Sequence, residues 1–101
     1  MTRAIRLAKL DKVRPVLVLT RSHALDYLAS VTVAPITSTV RGLPTEVPVG
    51  AANGLNHESV VSCDNVMTID ASRLGRLVGH LRPEQEAMLR RAIIDAFDLR
   101  A

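Results

Sequence analysis

The sequence predicts a mostly β protein completed by one C-terminal α-helix, and three observations carry that expectation. Short runs rich in β-branched residues dominate as far as His80, clusters of Gly, Pro, Asn and Asp separate them, and a helical hydrophobic period appears only after that point. With 101 residues, no internal repeat, no low-complexity tract and no Gly/Ser linker, the chain reads as one domain spanning 1–101. That length is near the lower end of sizes that bury a self-sufficient core, so an oligomer is expected.

The elements follow in order. "AIRLAKL" alternates as a strand should, with Ile5, Leu7 and Lys9 on one face, and "PVLVLT" follows after a tight turn at 11–13, so the two are hairpin partners. "RSHALDYLA" reads as a loop with a helical turn, and "SVTVAPIT" is a third strand, rich in residues that fit a pleated surface. In "VRGLPTEVPV", Gly42 and Pro44 mark a turn before a strand over 45–49; Pro48 has no N–H to donate, which places that strand at an edge. "GAANGLNHES" is turn chemistry throughout and is expected to be an exposed loop. "VVSC" and "NVMTI" follow, then a helical turn at "DASRL" and a strand "GRLVGHL" that Gly75 and Gly79 allow to bend.

The end changes character. "RPEQEAMLRRAIIDAFDL" has Pro83 at a helix start, Glu84 and Glu86 in the first turn where the helix dipole favours them, and Leu89, Ile93, Ala96 and Phe97 on one stripe. A helix of this kind needs an apolar surface to lie on. Short strands with one terminal helix therefore predict a small, strongly bent barrel of SH3-like character.

Composition removes several classes of function. Aromatic residues make up 2% of the chain, so Tyr27 and Phe97 cannot build a base-stacking platform, and any nucleic-acid contact must be electrostatic and hydrogen-bonded. A net charge of +3 is compatible with an anionic partner without requiring one. Cys63 is the single cysteine, which excludes an intrachain disulfide and a thiolate metal cluster; within "SVVSCDNV", with no histidine placed beside it, it reads as a small buried hydrophobe. "MTRAIRLAKLDK" lacks the apolar run of a signal peptide and no stretch approaches a membrane span, so a cytoplasmic protein with no membrane partner is expected. His23, His57 and His80 fall in unrelated loops and near a strand end, and read as surface histidines; Arg82, Arg90 and Arg91 read as the solvated face of the helix.

One pair of residues stands out when the strands are set side by side. If "RPVLVLT" and "SVTVAPIT" are antiparallel neighbours with Thr20 opposite Val31, a constant register places Arg14 opposite Thr37 at the far end. Directly opposed side chains have Cβ atoms about 4.5–5.5 Å apart, close enough for a guanidinium and a hydroxyl to hold one phosphate. Each residue also has an ordinary reading, Arg14 as a charge at a strand mouth and Thr37 as a β-branched strand residue.

"RPVLVLT", "TVAPITSTVRGLPTEVPV" and "ESVVSCDNVMTID", followed by the final helix, resemble in order and spacing the MazF/PemK endoribonuclease toxins, most closely their mycobacterial short-loop branch. The resemblance runs from Lys12 to Leu99. It implies a MazF/CcdB/Kid-type barrel and a metal-independent endoribonuclease with no cofactor. It also implies RNA as substrate, a homodimer and a MazE-like antitoxin. The catalytic arginine corresponds to Arg14 and the catalytic threonine to Thr37. Base contacts fall on Asp64 and Asn65, which also read as a plain Asx turn, and Ser38 and Arg41 lie where phosphate or base contact is expected. Arginine is a poor general base, so Arg14 is expected to stabilise charge, and Asp11 is a candidate base. The chain departs from the family pattern before Arg14, where a longer glutamate-bearing loop is replaced by a short turn. Two readings compete with the nuclease: a CcdB-like toxin that inhibits DNA gyrase through its C-terminal helix, and a non-catalytic RNA-binding barrel.

Overall fold

The computed structural model describes residues 2–99. Seven strands, β1 (Ala4–Lys9), β2 (Val13–Val18), β3 (Ser30–Thr37), β4 (Glu46–Val49), β5 (Ser59–Ser62), β6 (Met67–Asp70) and β7 (Leu74–His80), precede one helix, α1 (Pro83–Phe97). The strands pair antiparallel in the order β4-β5-β3-β2-β1-β7, with β6 also on β3, and the sheet curls into a half-barrel. The tight β1–β2 hairpin is as expected, with Lys9 opposite Val13. β4 is a terminal strand, so Pro48 lies where the sheet asks it for no further partner.

The central strands are buried on both faces because the curled sheet has a core on each. On one side Ile5, Leu17, Ala34, Ile36 and Val61 pack with Leu81, Leu89 and Ala92 of the helical end. On the other, Ala8, Val16, Val31 and Val33 pack with Leu25, Ile69 and Leu74. Alternation along β2 sends Val16 to one core and Leu17 to the other, which accounts for the unrelieved apolar run after Pro15. A strand gripped from both sides is a rigid mount for the residue at its mouth.

β3 carries two partners in succession along one edge, β6 over 30–33 and β5 over 36–37. Between these pairings the partner chain has three residues more than β3, and the excess is turned outward as the 3-10 turn Cys63–Asn65. The sheet thus pushes Asp64 and Asn65 out beside the end of β3.

Two expectations need correcting. The "GAANGL" segment is not an exposed loop throughout, because Asn53 is 1% exposed and ties three elements together. Its Nδ2 donates to the His80 carbonyl at 2.9 Å and to Gln85 Oε1 at 2.7 Å, while its Oδ1 accepts from Gly50 N at 3.0 Å. Gly79 serves this contact: a Cβ there would stand 2.1 Å from the Asn53 carbonyl oxygen, so glycine lets two backbones touch and is more than a bend. The second correction concerns α1, whose buried positions are Leu89 and Ala92, with Ile93 and Ala96 half-buried. Phe97 is 54% exposed, and it lines an open apolar groove with Leu19, Ile93 and Leu99.

Candidate active site

β2 and β3 pair through Val16 with Pro35, Leu17 with Ala34 and Val18 with Val33. This is the register read from the sequence, and its continuation carries Arg14 toward Thr37. The strands do not stay paired that far, since β3 leaves β2 after Pro35 and Thr37 pairs with Val60 of β5. The splayed ends open a cleft of about 510 Å³ that is lined by Arg14 and Thr37 together with Asp11, Met67 and Arg73. Arg14 and Thr37 therefore face one space with no direct bond between them, the room a phosphate would need.

Each side chain is held by its neighbours. Arg14 donates from Nε to Asp11 Oδ1 at 2.9 Å and from Nη2 to Asp11 Oδ2 at 3.1 Å. The short hairpin turn brings Asp11 within reach. This two-point grip fixes the plane of the guanidinium and leaves Nη1 for an outside acceptor. The bonds from Arg14 hold the Asp11 carboxyl well below the usual carboxylate range, and the same bonds raise the Arg14 guanidinium further. A carboxylate so stabilised has little affinity for a proton, which suits Asp11 to orienting Arg14 better than to taking a proton as the base. Thr37 Oγ1 accepts from Thr39 N at 3.1 Å, which leaves its own proton to donate.

A second cavity, about 430 Å³, lies on the far side of Thr37 between the 38–45 loop and the Cys63–Asn65 turn, and is lined by Arg41, Glu46, Ser62, Asp64 and Asn65. Asp64 Oδ2 accepts from Thr45 Oγ1 at 2.6 Å, and Asn65 Nδ2 donates to Ser62 Oγ at 2.8 Å. Those bonds leave Asp64 Oδ1 and Asn65 Oδ1 as acceptors. The loop is drawn in by Glu46, whose carboxylate accepts from Arg41 N at 3.2 Å and from Leu43 N at 3.1 Å. Gly42, at φ +72°, lets the chain fold round that carboxylate. Of the residues singled out in the sequence, Arg14 and Thr37 share one cavity, and Thr37, Arg41, Asp64 and Asn65 share the other. Ser38 is exposed at the bend after β3 and lines neither, whereas Thr39 lines the second cavity.

Other candidates are accounted for away from the clefts. Cys63 is 1% exposed, and burial together with the Asp64 charge pushes its thiol up to about 11, so it is packing and not a nucleophile. His23 Nε2 accepts from Arg21 Nε at 3.1 Å on the surface, and His57 and His80 are exposed at separate places. Among the described residues no group of three His, Cys, Asp or Glu side chains converges as a metal site would require. Sequence reasoning missed Arg73, Glu46, Thr39 and Thr45; Glu46 had a signal in the "RGLPTE" turn, whereas Arg73 had none, since only the closure of β7 on β1 carries it to the cleft.

A family model for PemK-like, MazF-like toxins of type II toxin–antitoxin systems matches residues 5–97. The chain belongs to the PemK/MazF family. The endoribonuclease MazF3 of Mycobacterium tuberculosis is 61% identical to it over 97 residues, which is 96% of this chain and 94% of that protein. The solved structure of the M. tuberculosis toxin MazF-mt6 superposes with a TM-score of 0.95 at 60% identity, over 98% of this chain and all of that one. A mycobacterial endoribonuclease solved with its cognate antitoxin shares the fold at a TM-score of 0.86 and 24% identity, over 97% of this chain and 94% of that one. The MazF fold of this chain thus includes the half-barrel, the terminal helix and the splayed β2–β3 ends. No helix among the described residues is long and apolar enough to cross a membrane.

Proposed function

We propose that the chain, a MazF-type endoribonuclease toxin of a type II toxin–antitoxin system, cleaves RNA in the cleft between Arg14 and Thr37 without a metal. The reaction is attack of a ribose 2′-hydroxyl on the adjacent phosphorus. The O2′–P bond forms, the P–O5′ bond breaks, the 2′ proton leaves to a base and the 5′ oxygen is protonated. Products are a 2′,3′-cyclic phosphate and a 5′-hydroxyl. The step builds negative charge on the phosphoryl oxygens, and the observation that carries the reading is a guanidinium already oriented by Asp11 toward a space it shares with a free hydroxyl proton.

Arg14 offers its remaining donors to those oxygens and can return a proton to O5′, and Thr37 adds one hydrogen bond. Asp64 and Asn65 present acceptors to a neighbouring base, and Arg41 adds a cation at the loop. A homodimer extends the groove, a MazE-like antitoxin with an acidic extended segment competes for it, and the cytoplasm supplies the RNA. The test is incubation of purified protein with RNA in EDTA. Cleavage is expected to persist, to leave 5′-hydroxyl ends, and to stop at a site whose attacked nucleotide is 2′-deoxy. RNA left intact at high protein concentration, or cleavage of the deoxy site, contradicts the reading; inhibition of gyrase with RNA intact would point to the CcdB-like alternative.

A further inference from the structure

We infer that Arg73, assigned no part so far, is a second RNA-binding cation of the cleavage cleft and takes a phosphate next to the one that reacts. The inference rests on the reading of the cleft as an RNA site. Three observations place Arg73 there. It lines the same cavity as Arg14 and Thr37. Sheet register fixes it across the end of β1: Ala8 has Arg14 opposite on one side and Leu74 opposite on the other, so the residue before Leu74 stands beside Lys9. The side chain is oriented, since Nη1 donates to the Lys9 carbonyl at 3.1 Å.

Arg14 and the start of β7 are therefore separated by two strand spacings, about 10 Å between backbones. The side chains reach into the cleft from opposite edges. The two cations differ in how they are balanced. Arg14 is matched by Asp11, whereas among the described residues no carboxylate forms an ion pair with Arg73. Asp70, the nearest acid in sequence, turns Oδ1 to the Ser72 N–H at 3.1 Å and the Ser72 hydroxyl at 3.0 Å, so it acts on Arg73 only through space, without a contact ion pair. The charged residues that line the cleft, one carboxylate against two guanidiniums, leave it a positive surplus. Arg73 is exposed, so the surplus faces an open approach. A guanidinium held at one N–H, with its other donors unmatched in a cleft that already suits a phosphate, suits a second phosphate of the same strand. It binds ground state and transition state alike, and so differs from Arg14 in what its loss does.

The probe is an RNA oligonucleotide that spans a mapped cut site and carries one 2′-deoxy residue there, so that binding is read without cleavage. Kd is measured across a salt series for wild type, Arg73→Gln and Arg73→Lys. Glutamine keeps a donor for the Lys9 carbonyl and removes the charge. For Arg73→Gln the slope of log Kd against log salt is expected to fall by about 0.7, the contribution of one single-strand phosphate, while Arg73→Lys keeps the slope. On the cleavable RNA, KM of Arg73→Gln rises about 10-fold at low salt with kcat within about 3-fold of wild type. An unchanged slope for Arg73→Gln, or a fall in kcat with KM unchanged, overturns the inference while leaving the Arg14 reading intact. Absence of saturable RNA binding by wild type overturns both.

Discussion

Asp11 grips the Arg14 guanidinium at two points, Nε to Oδ1 at 2.9 Å and Nη2 to Oδ2 at 3.1 Å. The pair is open to solvent, Asp11 exposed and Arg14 half-buried, and is separated by a single tight turn, so its value lies in direction and not in stability. It aims the remaining donors of Arg14 into the gap where β3 has left β2 for β5.

Removing the grip while keeping the cation is expected to lower kcat. Asp11→Asn keeps the shape of the side chain but weakens both bonds, and a guanidinium misplaced by about 1 Å costs up to about 10² in rate. The check is single-turnover cleavage of a fixed RNA. Unchanged kcat in a folded Asp11→Asn protein would show that Arg14 finds its own orientation.

The same pair fixes a pH response. The folded-state pKa of Asp11 is depressed, so its contribution is present above the unfolded carboxylate value of about 3.9 and is lost as pH falls through the lower folded value. Neither member titrates near neutrality. Any limb of the cleavage profile between about pH 5 and 9 therefore belongs to another group, and the ratio of wild-type to Asp11→Asn rates is expected to stay flat across that range. A ratio that changes about tenfold there would place the Asp11 proton in the reaction after all.

Glu46 is expected to govern which RNA is cut more than how fast. Its carboxylate holds the Arg41 and Leu43 amides, shaping the wall that faces Asp64 and Asn65. Glu46→Ala should reduce the ratio of cleavage at the preferred site to cleavage elsewhere by about tenfold, roughly the loss of 1–2 kcal/mol of ordering. Mapping of 5′ ends measures that ratio, and general destabilisation would lower all sites together.

Cys63 is expected to be inert. Buried, with its thiol raised to about 11, it should resist alkylation at pH 8 in the native protein and react once the protein is unfolded in denaturant. Mass spectrometry after a timed exposure distinguishes the two, and Cys63→Ala should retain cleavage activity.

Gly79 carries a stability prediction. A Cβ placed 2.1 Å from the Asn53 carbonyl forces the β7 end and the Asn53 loop apart, and overpacking of this kind costs about 1–3 kcal/mol. For a domain this size Gly79→Ala should lower the melting temperature by about 4 °C or more. Scanning calorimetry checks it.

Much of this was legible in the sequence because strand periodicity, turn residues and a constant antiparallel register are local or nearly local rules. They gave the hairpin, the bounds of β3 and the β2–β3 register seen at Val16 and Pro35, whose continuation leads Arg14 toward Thr37 although the strands part before reaching them. What stayed hidden depends on distant closure. Asn53 reads as loop chemistry until Gly79 and Gln85 close over it, and Phe97 falls on the apolar stripe of the helix yet stands exposed on a groove. Arg73 reaches the cleft only because β7 returns to β1, a pairing no spacing near Arg73 announces. Ser38 stands outside both cavities, and the next residue after Thr37 to line one is Thr39.

The central claim is that Arg14 and Thr37 act on one phosphate, and the most direct measurement is kcat at saturating RNA in EDTA for wild type, Arg14→Ala, Thr37→Ala and the double variant. Loss of Arg14 is expected to lower kcat by about 10² to 10³, loss of Thr37 by a smaller factor, and the double variant should lose less than the product of the two, since both serve one charge. A folded Arg14→Ala protein that cleaves at the wild-type rate would contradict the account.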